Sequence, residues 1–531
     1  MKHFPLLIKH FLTVTPFLYR KAGEIVSNLK RTAIWITLLA LILKLSGFLR
    51  ESIIAKEFGA NAYTDGYLIA FSFITLVVAM ISIGFNNVFL PLYVKHKEDS
   101  PQETERNANG IMNSTVALFL IITIAGYFLV PYFVPFLFGD MKPATEKVAV
   151  DITKIFFLFM SAIALNGILE SYLQGRRIFV PSQISKLLAT LMGAVFALLF
   201  SDTWGIYSLA YGFVFGTILG IIVQFFFLTR NGFKWMPTFK IDETFKKAFI
   251  VLIIPSLLNS VVGQINMFVN KIFASGTVGG AVTYLNNASL LISIPNAIYA
   301  TTIAAIIFTL LSEQVNDQRK FQNTFFMGME ISLLTLMPIA AGLWVVGEEA
   351  LSFIYERGKF TAGDTANTYT ALVLYLPLIV TQGLQFIVSK SLYAQGKTGI
   401  VFRISVTTIV VNLILNFVLV DRYGYPALAV ASSVVSVYYL VVSSVVVYKG
   451  FEGQEARKLW RLFSRAIPPT VLMVLPIYFL KKMEVVSNLY SLFQLAILVP
   501  IGVIVYTVAL RVFYKEGFYR LLNMVKKKKA V

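Results

Sequence analysis

The sequence predicts an all-α polytopic membrane protein of about fourteen transmembrane helices: two pseudo-symmetric six-helix bundles around a central cavity, plus two C-terminal helices. Three observations lead there. Of 531 residues, 57% are hydrophobic and only 14% charged, where a soluble chain carries about a quarter charged. Apolar runs of about 20 residues, each long enough to cross a hydrocarbon core, follow one another with short connections. Two distant motifs also recur at a single offset along the chain.

The N-terminal stretch "MKHFPLLIKHFLTVTPFLYRK" has a basic start and an apolar run. Lys9 and His10 interrupt that run, Pro5 and Pro16 break it, and no small-x-small cleavage pattern follows. It reads as a cytoplasmic segment lying on the membrane surface. Six spans are expected near 33–57, 66–94, 110–139, 148–173, 179–200 and 206–228, and six more near 246–274, 279–312, 323–346, 366–395, 399–420 and 425–448. The last two fall near 461–480 and 490–513.

Basic residues set the orientation. With a cytoplasmic N-terminus, the inside loops include "GRR" at 175–177, "RNGFKWMPTFKIDETFKK" at 230–247 and "EARKLWRLFSR" at 455–465. The tail "KKKK" at 526–529 falls inside as well, and an even number of spans places both termini in the cytoplasm. This bias accounts for most of the net charge of +19, so the basicity does not point to nucleic acid. The lysine tail reads as a topology and anionic-lipid feature. There is no cysteine and there are three histidines, His3, His10 and His96. Disulfides and thiolate chemistry are excluded. No metal site, cofactor or enzymatic activity is expected.

The repeat aligns "RESIIAKEFGANAYTDG" (50–66) with "KIFASGTVGGAVTYLNN" (271–287), an offset of 221 residues. Arg50 falls on Lys271, Gly59 on Gly280, Tyr63 on Tyr284 and Asp65 on Asn286. The same offset aligns "YLQGRRIFV" (172–180) with "YAQGKTGIV" (393–401). With an even number of spans per unit, the two bundles share orientation and face each other across a cavity.

Charges within spans are expensive and normally face protein or a water-filled cavity. Lys44 and Arg50 lie in the first span, and Lys271 occupies the matching position of the other half. Lys186, Lys390 and Arg403 lie within or near spans, against a few acidic residues, chiefly Asp65, Glu170 and Glu330. A net cationic cavity suits an anionic substrate, because Arg and Lys pair with phosphate oxygens and a low dielectric strengthens the pairing. Lys56, Glu57, Arg176 and Arg177 read instead as residues snorkelling at helix ends. Pro255, Pro295, Pro338 and Pro377 interrupt spans of the second bundle, where they allow bending. Asn412 and Asn416 are one turn apart on one face, as an ion or polar path or as interhelical hydrogen-bonding groups.

"KLSGFLRESIIAKEFGANAYTDGYLIAF" (44–71) resembles the first-span signature of the MurJ family of lipid II flippases, the MVF group of the multidrug/oligosaccharidyl-lipid/polysaccharide exporter superfamily. "FLPLYVKH" (89–96), "VNKIFASGTVGGAVTYLNNASLLISIP" (269–295), "YERGKFTAGDTANT" (355–368) and "SLYAQGKT" (391–398) agree with it. The resemblance implies alternating access that carries a polyprenyl-diphosphate-linked cell-wall precursor between leaflets of the bacterial cytoplasmic membrane. It puts the family's basic pair on Lys44 and Arg50, its acidic residue on Asp65 and a helix-seven basic residue on Lys271. With Lys390 these are the expected substrate-binding residues. The carboxylates of sodium-coupled members fall on Asn270, Asn412 and Asn416. Two family arginines are missing: the second span reads "ITLVVAMISIGFNN", and Leu290 stands at the eighth-span position.

The expected division is an interfacial segment at 1–30, an N-lobe at 31–229, a cytoplasmic linker at 230–247 and a C-lobe at 248–450. Groove helices follow at 451–514, then a basic tail at 515–531. The expected partners are the lipid-linked glycan, membrane lipids and cell-wall synthesis enzymes. A flippase for a capsule, exopolysaccharide or teichoic-type precursor and a MATE-type drug exporter remain open as alternatives.

Overall fold

The structure is a computed structural model that describes residues 39–527 apart from 40, 140 and 452–454. The N-terminal segment at 1–30, the start of the first expected span and the end of the lysine tail lie outside the described residues. Helix α1 covers 41–58. It is followed by α2 (Ala62–Asp99), α3 (Pro101–Phe138), α4 (Pro143–Leu158), α5 (Met160–Gly175), α6 (Val180–Trp204) and α7 (Tyr207–Arg230). The second half comprises α8 (Glu243–Ser275), α9 (Ala281–Tyr299), a π-turn at Ala300–Ala304, α10 (Ala305–Glu313), α11 (Gln318–Tyr355), α12 (Ala362–Ala394), α13 (Thr398–Tyr423) and α14 (Pro426–Tyr448). The chain ends with α15 (Glu455–Lys482), the short α16 (Glu484–Ser487), α17 (Ser491–Phe513) and α18 (Lys515–Lys527).

Among the described residues, ten helices are long and apolar enough to cross a membrane, and the bent pair α4–α5 makes an eleventh. The other three expected spans coincide with α1, α8 and the broken helix α9–α10. The helix boundaries repeat. α2 starts at Ala62 and α9 at Ala281, α4 at Pro143 and α12 at Ala362, and α7 at Tyr207 and α14 at Pro426, each pair separated by close to the offset of the sequence repeat. The halves differ in where they bend. In the first half α4 and α5 meet at 59°, whereas α12 continues through Pro377. In the second half Pro295 lies inside α9 and the π-turn follows it, whereas α2 stays continuous. A proline removes a backbone donor and crowds the preceding turn, and a π-turn absorbs the resulting mismatch.

Helix ends follow local chemistry. The Asn61 side chain accepts from the amides of Tyr63 and Thr64 to start α2. Asp242 does the same for α8, and Thr361 forms a capping box with Asp364 at α12. Each cap satisfies donors that the helix itself cannot. The linker before α8 is a strap laid across an asparagine ladder on α3. Asn109 accepts from the Met236 amide at 2.9 Å, Asn113 donates to the carbonyls of Met236 and Thr238, and Asn107 accepts from the Asp242 amide. α18, expected as part of a basic tail, is an amphipathic helix that lies against α11 through Gly517 and Leu334.

α6 and α7 pack through Gly212, Gly216 and Gly220, spaced one turn apart. A Cβ at Gly216 would stand 2.4 Å from the Leu188 carbonyl oxygen. In lipid, where no water drives helices together, such close backbone approach is a main source of attraction. Gly216→Val is therefore expected to separate the two helices at a cost of several kcal/mol, at or above the roughly 1–3 kcal/mol of ordinary overpacking. Fluorescence-detected size exclusion should show loss of the monodisperse peak, while Gly205→Val, at a position with open space around it, should suffer only the strain of its positive φ.

Candidate substrate pocket

Four helices from both halves, α1, α2, α8 and α9, enclose a cavity of about 360 Å³. Its polar wall holds Arg50, Glu51, Ser72, Thr75, Gln264, Lys271, Asn286 and Ser289. Arg50 sits roughly 12 Å before the end of α1, at 1.5 Å rise per residue. Its guanidinium donates to Glu51 and lies 4.4 Å from the ring centre of Phe71. Its Nε is buried and has no partner among the described residues. Lys271 enters from α8 and donates to Ser72 Oγ at 2.6 Å and to Asn286 Oδ1 at 3.2 Å. Asn286 in turn donates to Glu51 at 3.4 Å. The positions paired by the repeat thus face one cavity from opposite halves, tied through a carboxylate and an amide. The balance of charge on the wall is one positive, since Glu51 offsets one of the two cations. Leu290, at the position where the resemblance put an arginine, also lines this cavity, and Thr75, Leu76 and Ala79 form the second-span wall. Both missing arginines leave neutral or apolar surface.

Three expected site residues lie elsewhere. Lys44 is exposed on α1, away from the cavity wall. Lys390, on α12, rests on the ring of Phe308 at 4.6 Å. Asp65 is buried, and its carboxylate accepts from the Gly280 amide at 2.7 Å, the Thr283 amide at 2.9 Å and the Thr283 hydroxyl at 2.7 Å. Both its oxygens are engaged in capping α9 from the other half of the chain, which leaves it no role on the cavity wall. Sequence reasoning missed Glu51, Ser72 and Asn286. The repeat alignment did carry a signal for one of them, since it paired Asp65 with Asn286, and it is the amide that faces the cavity.

Asp65 belongs to a larger interlock at the end of the bundle where the α1/α2, α8/α9 and α11/α12 turns meet. There the Lys359 amide donates to the Lys56 carbonyl at 2.9 Å and Ser52 to the Ile354 carbonyl at 2.6 Å. Gly59 and Gly358, both at positive φ, allow the two turns to touch, since a Cβ on Gly358 would lie 2.2 Å from the Lys56 oxygen. Lys56, read from sequence as a snorkelling residue, contributes its backbone to this seam.

Asn270, Asn412 and Asn416 do come together, between α8 and α13. Asn270 Oδ1 accepts from Asn412 at 2.9 Å and from Asn416 at 2.8 Å, and its amide donates to Ser432 at 2.7 Å. The cluster lies apart from the cavity wall, and its bonds join the two helices.

The fold and cavity can now be set beside known proteins. The family model described as "Lipid II flippase MurJ" matches residues 54–501. The chain belongs to the MurJ family. A "Probable lipid II flippase MurJ" of Buchnera aphidicola subsp. Schizaphis graminum is 25% identical over 499 residues, 91% of this chain and 96% of the relative. The "Lipid II flippase MurJ" of Burkholderia cenocepacia is 24% identical over 425 residues, covering 77% of this chain and 81% of that one. A solved structure described as "Lipid II flippase MurJ, inward closed conformation" superposes with a TM-score of 0.79 at 23% identity, covering 91% of this chain and 99% of that one. An inward-facing MATE transporter matches at a TM-score of 0.65 and 13% identity, with 81% and 99% covered. These likenesses establish a polytopic membrane protein with the superfamily fold, and the MATE proteins are its more distant neighbours.

The interlock gives a direct expectation. Asp65→Ala removes three bonds that close one end of the bundle. The chain has no cysteine, so spin labels can be placed at Tyr63→Cys and Val278→Cys, both exposed. The distance distribution between them should broaden and lengthen in Asp65→Ala. An unchanged distribution would show that the backbone seam alone holds that end shut.

Proposed function

We propose that this protein flips a polyprenyl-diphosphate-linked cell-wall precursor, lipid II, from the inner to the outer leaflet of the bacterial cytoplasmic membrane by alternating access. The observation that carries the reading is the cavity shared by Arg50 and Lys271, one cation from each half, on a chain of the MurJ family. A diphosphate offers oxygens to both. The guanidinium pairs two oxygens in one plane, and the ammonium acts as a point charge. The unpartnered Arg50 Nε is a donor available to such a ligand. Substrate binding that draws Arg50 and Lys271 toward one anion draws the two halves together, which is how a ligand biases a two-state bundle.

In this reading both termini and the linker are cytoplasmic, and the interlocked end faces outward. The division into N-lobe (31–229), linker (230–247), C-lobe (248–450), groove helices (451–514) and tail (515–531) follows the repeat. The exposed apolar side chains of α15 and α17, such as Phe479, Val503 and Ile504, suit a groove for the polyprenyl tail. Lys44 and Lys390 lie off the wall of this cavity.

Two experiments test the reading. Depletion of the protein should make lipid II accumulate on the cytoplasmic leaflet; accumulation of a different lipid-linked glycan would reassign the substrate. Arg50→Gln and Lys271→Gln should each abolish complementation while expression and insertion persist, and Arg50→Lys should keep part of the activity. Near-normal transport by both Gln variants would remove the cationic cavity from the mechanism.

The amide cluster yields a separate expectation. Neutral amides lack the carboxylate charge that favours a bound cation. Transport in reconstituted vesicles is therefore expected to proceed equally in sodium and potassium media and to respond to membrane potential or protons. Strict dependence on sodium would show that Asn270, Asn412 and Asn416 suffice as a coupling site.

A further inference from the structure

A second and larger cavity, of about 510 Å³, lies between α11, α15 and α18 and shares no lining residue with the first. Lys458, Arg461 and Arg465 line it from one stripe of α15, spaced three and four residues apart, and Arg520 enters from α18. Glu330, on α11, is buried at 3% exposure and is the acidic residue of the wall. Its carboxylate already accepts from Tyr514 and from Arg520, so the negative charge is spent inside the wall. Two of the α15 cations, Arg461 and Arg465, are not neutralised in the same way. Arg465 lies over the Tyr514 ring at 4.9 Å and reaches the exposed Glu516 only at 3.9 Å. Among the described residues, the Arg461 side chain has neither a hydrogen bond nor an ion pair.

We propose that this cavity binds the phosphate of an anionic membrane phospholipid. Its volume is that of a ligand site, and clustered guanidinium groups match phosphate oxygens in charge and geometry. Its position selects a lipid rather than a free ion. The basic stripe of α15 gives way at Ala466 to an apolar run, and Ile467 and Val471 on that run are exposed, as are Val508 and Val512 on the adjoining α17. Acyl chains can lie along this surface while the headgroup stays among the arginines. Trp460 and Tyr519, the sequence neighbours of Arg461 and Arg520, are 79% and 42% exposed, as interfacial aromatics are in membrane proteins. Basic pockets between helices at this level are a recurrent form of headgroup recognition. The bound lipid would clamp α18 against α11 and α15, since Arg520 belongs both to the pocket and to the Glu330 pair. The inference does not depend on the transport reading.

The test uses the full-length protein in detergent, titrated with phosphatidylglycerol and, separately, phosphatidylcholine, with binding read by native mass spectrometry. Phosphatidylglycerol is expected to be retained in preference to phosphatidylcholine. The double variant Arg461→Ala/Arg465→Ala should weaken that binding about 25-fold, at roughly fivefold per basic residue, while Arg461→Lys/Arg465→Lys should stay within about fivefold of the native protein. If the double alanine variant does not purify, the single Arg461→Gln, at an exposed position, should show a loss of about fivefold. Undiminished binding in the alanine or glutamine variants overturns the proposal. Displacement of the lipid by inorganic phosphate, or tighter binding of a polyprenyl diphosphate than of phosphatidylglycerol, overturns the assignment to a resident phospholipid.

Discussion

A charged group inside a membrane protein must find its partner in the protein, because lipid offers none. Arg50 and Lys271 meet that constraint through one carboxylate and one amide, Glu51 and Asn286. The rest of the cavity is arranged around this economy. The pair Arg50–Glu51 leaves one guanidinium nitrogen unused, and Lys271 is held by two neutral oxygens rather than by an acid. A buried pair that is fully neutralised resists rearrangement, since removing either member strands the other charge. A pair that is nearly neutral, with spare donors, can accept an incoming anion without first stranding a charge. Where the resemblance puts arginines in the second and eighth spans the wall is apolar or neutral, so Arg50 and Lys271 are the cations among the residues that line this cavity.

The same constraint shapes the seam between the halves. At the interlocked end the two halves meet through the Lys359 amide on the Lys56 carbonyl, the Ser52 hydroxyl on the Ile354 carbonyl, and the Asp65 cap on α9. Backbone hydrogen bonds at turns can break and be replaced by water on the aqueous side, so such a seam can open without leaving polar groups stranded in lipid. Along the membrane interior the halves meet differently. α8 runs beside α2, and the Phe73–Phe268 and Phe85–Phe249 ring pairs mark the contact. Apolar surfaces of this kind slide at little cost once lipid or substrate fills the space. Polar bonds at the rim, and rings within that are crossed by the few polar bonds of the cavity, suit a bundle that alternates between two closures.

Most of the architecture was legible because its signals are long. A 20-residue apolar run, a basic loop and a repeated pair of motifs survive any uncertainty about individual side chains. The cavity cations Arg50 and Lys271 were legible for the same reason, since the repeat doubled the evidence for each. Local direction was not legible. Lys44 is six residues from Arg50, and a helix turns by 100° per residue, so the two side chains point differently. Asp65 was read as a site residue from burial and resemblance. Its actual role depends on where the amides of Gly280 and Thr283 lie, and that is a fact about a turn more than 200 residues away in the chain. Glu51 was not legible as a cavity residue, because its role rests on its pairing with Arg50 and with Asn286 of the other half. Both interrupted helices were counted as spans from hydropathy, which is indifferent to bending: Pro295 marked the interruption in α9–α10, but nothing marked the 59° bend between α4 and α5.

The amide cluster shows how a polar site can be kept while its electrostatics change. A carboxylate at Asn270 would sit beside the Asn412 and Asn416 side chains and carry a charge that only a cation or proton could offset in lipid. The amide removes that requirement, and the oxygen now accepts from both neighbours. α8 and α13 are thereby joined by neutral hydrogen bonds, and α8 carries Lys271 at the position next to Asn270. The helix that carries the cavity lysine is thus held at the adjacent position by neutral hydrogen bonds. In the proposed reading, the rearrangement of such a bundle is biased by an anion that Arg50 and Lys271 share across the cavity.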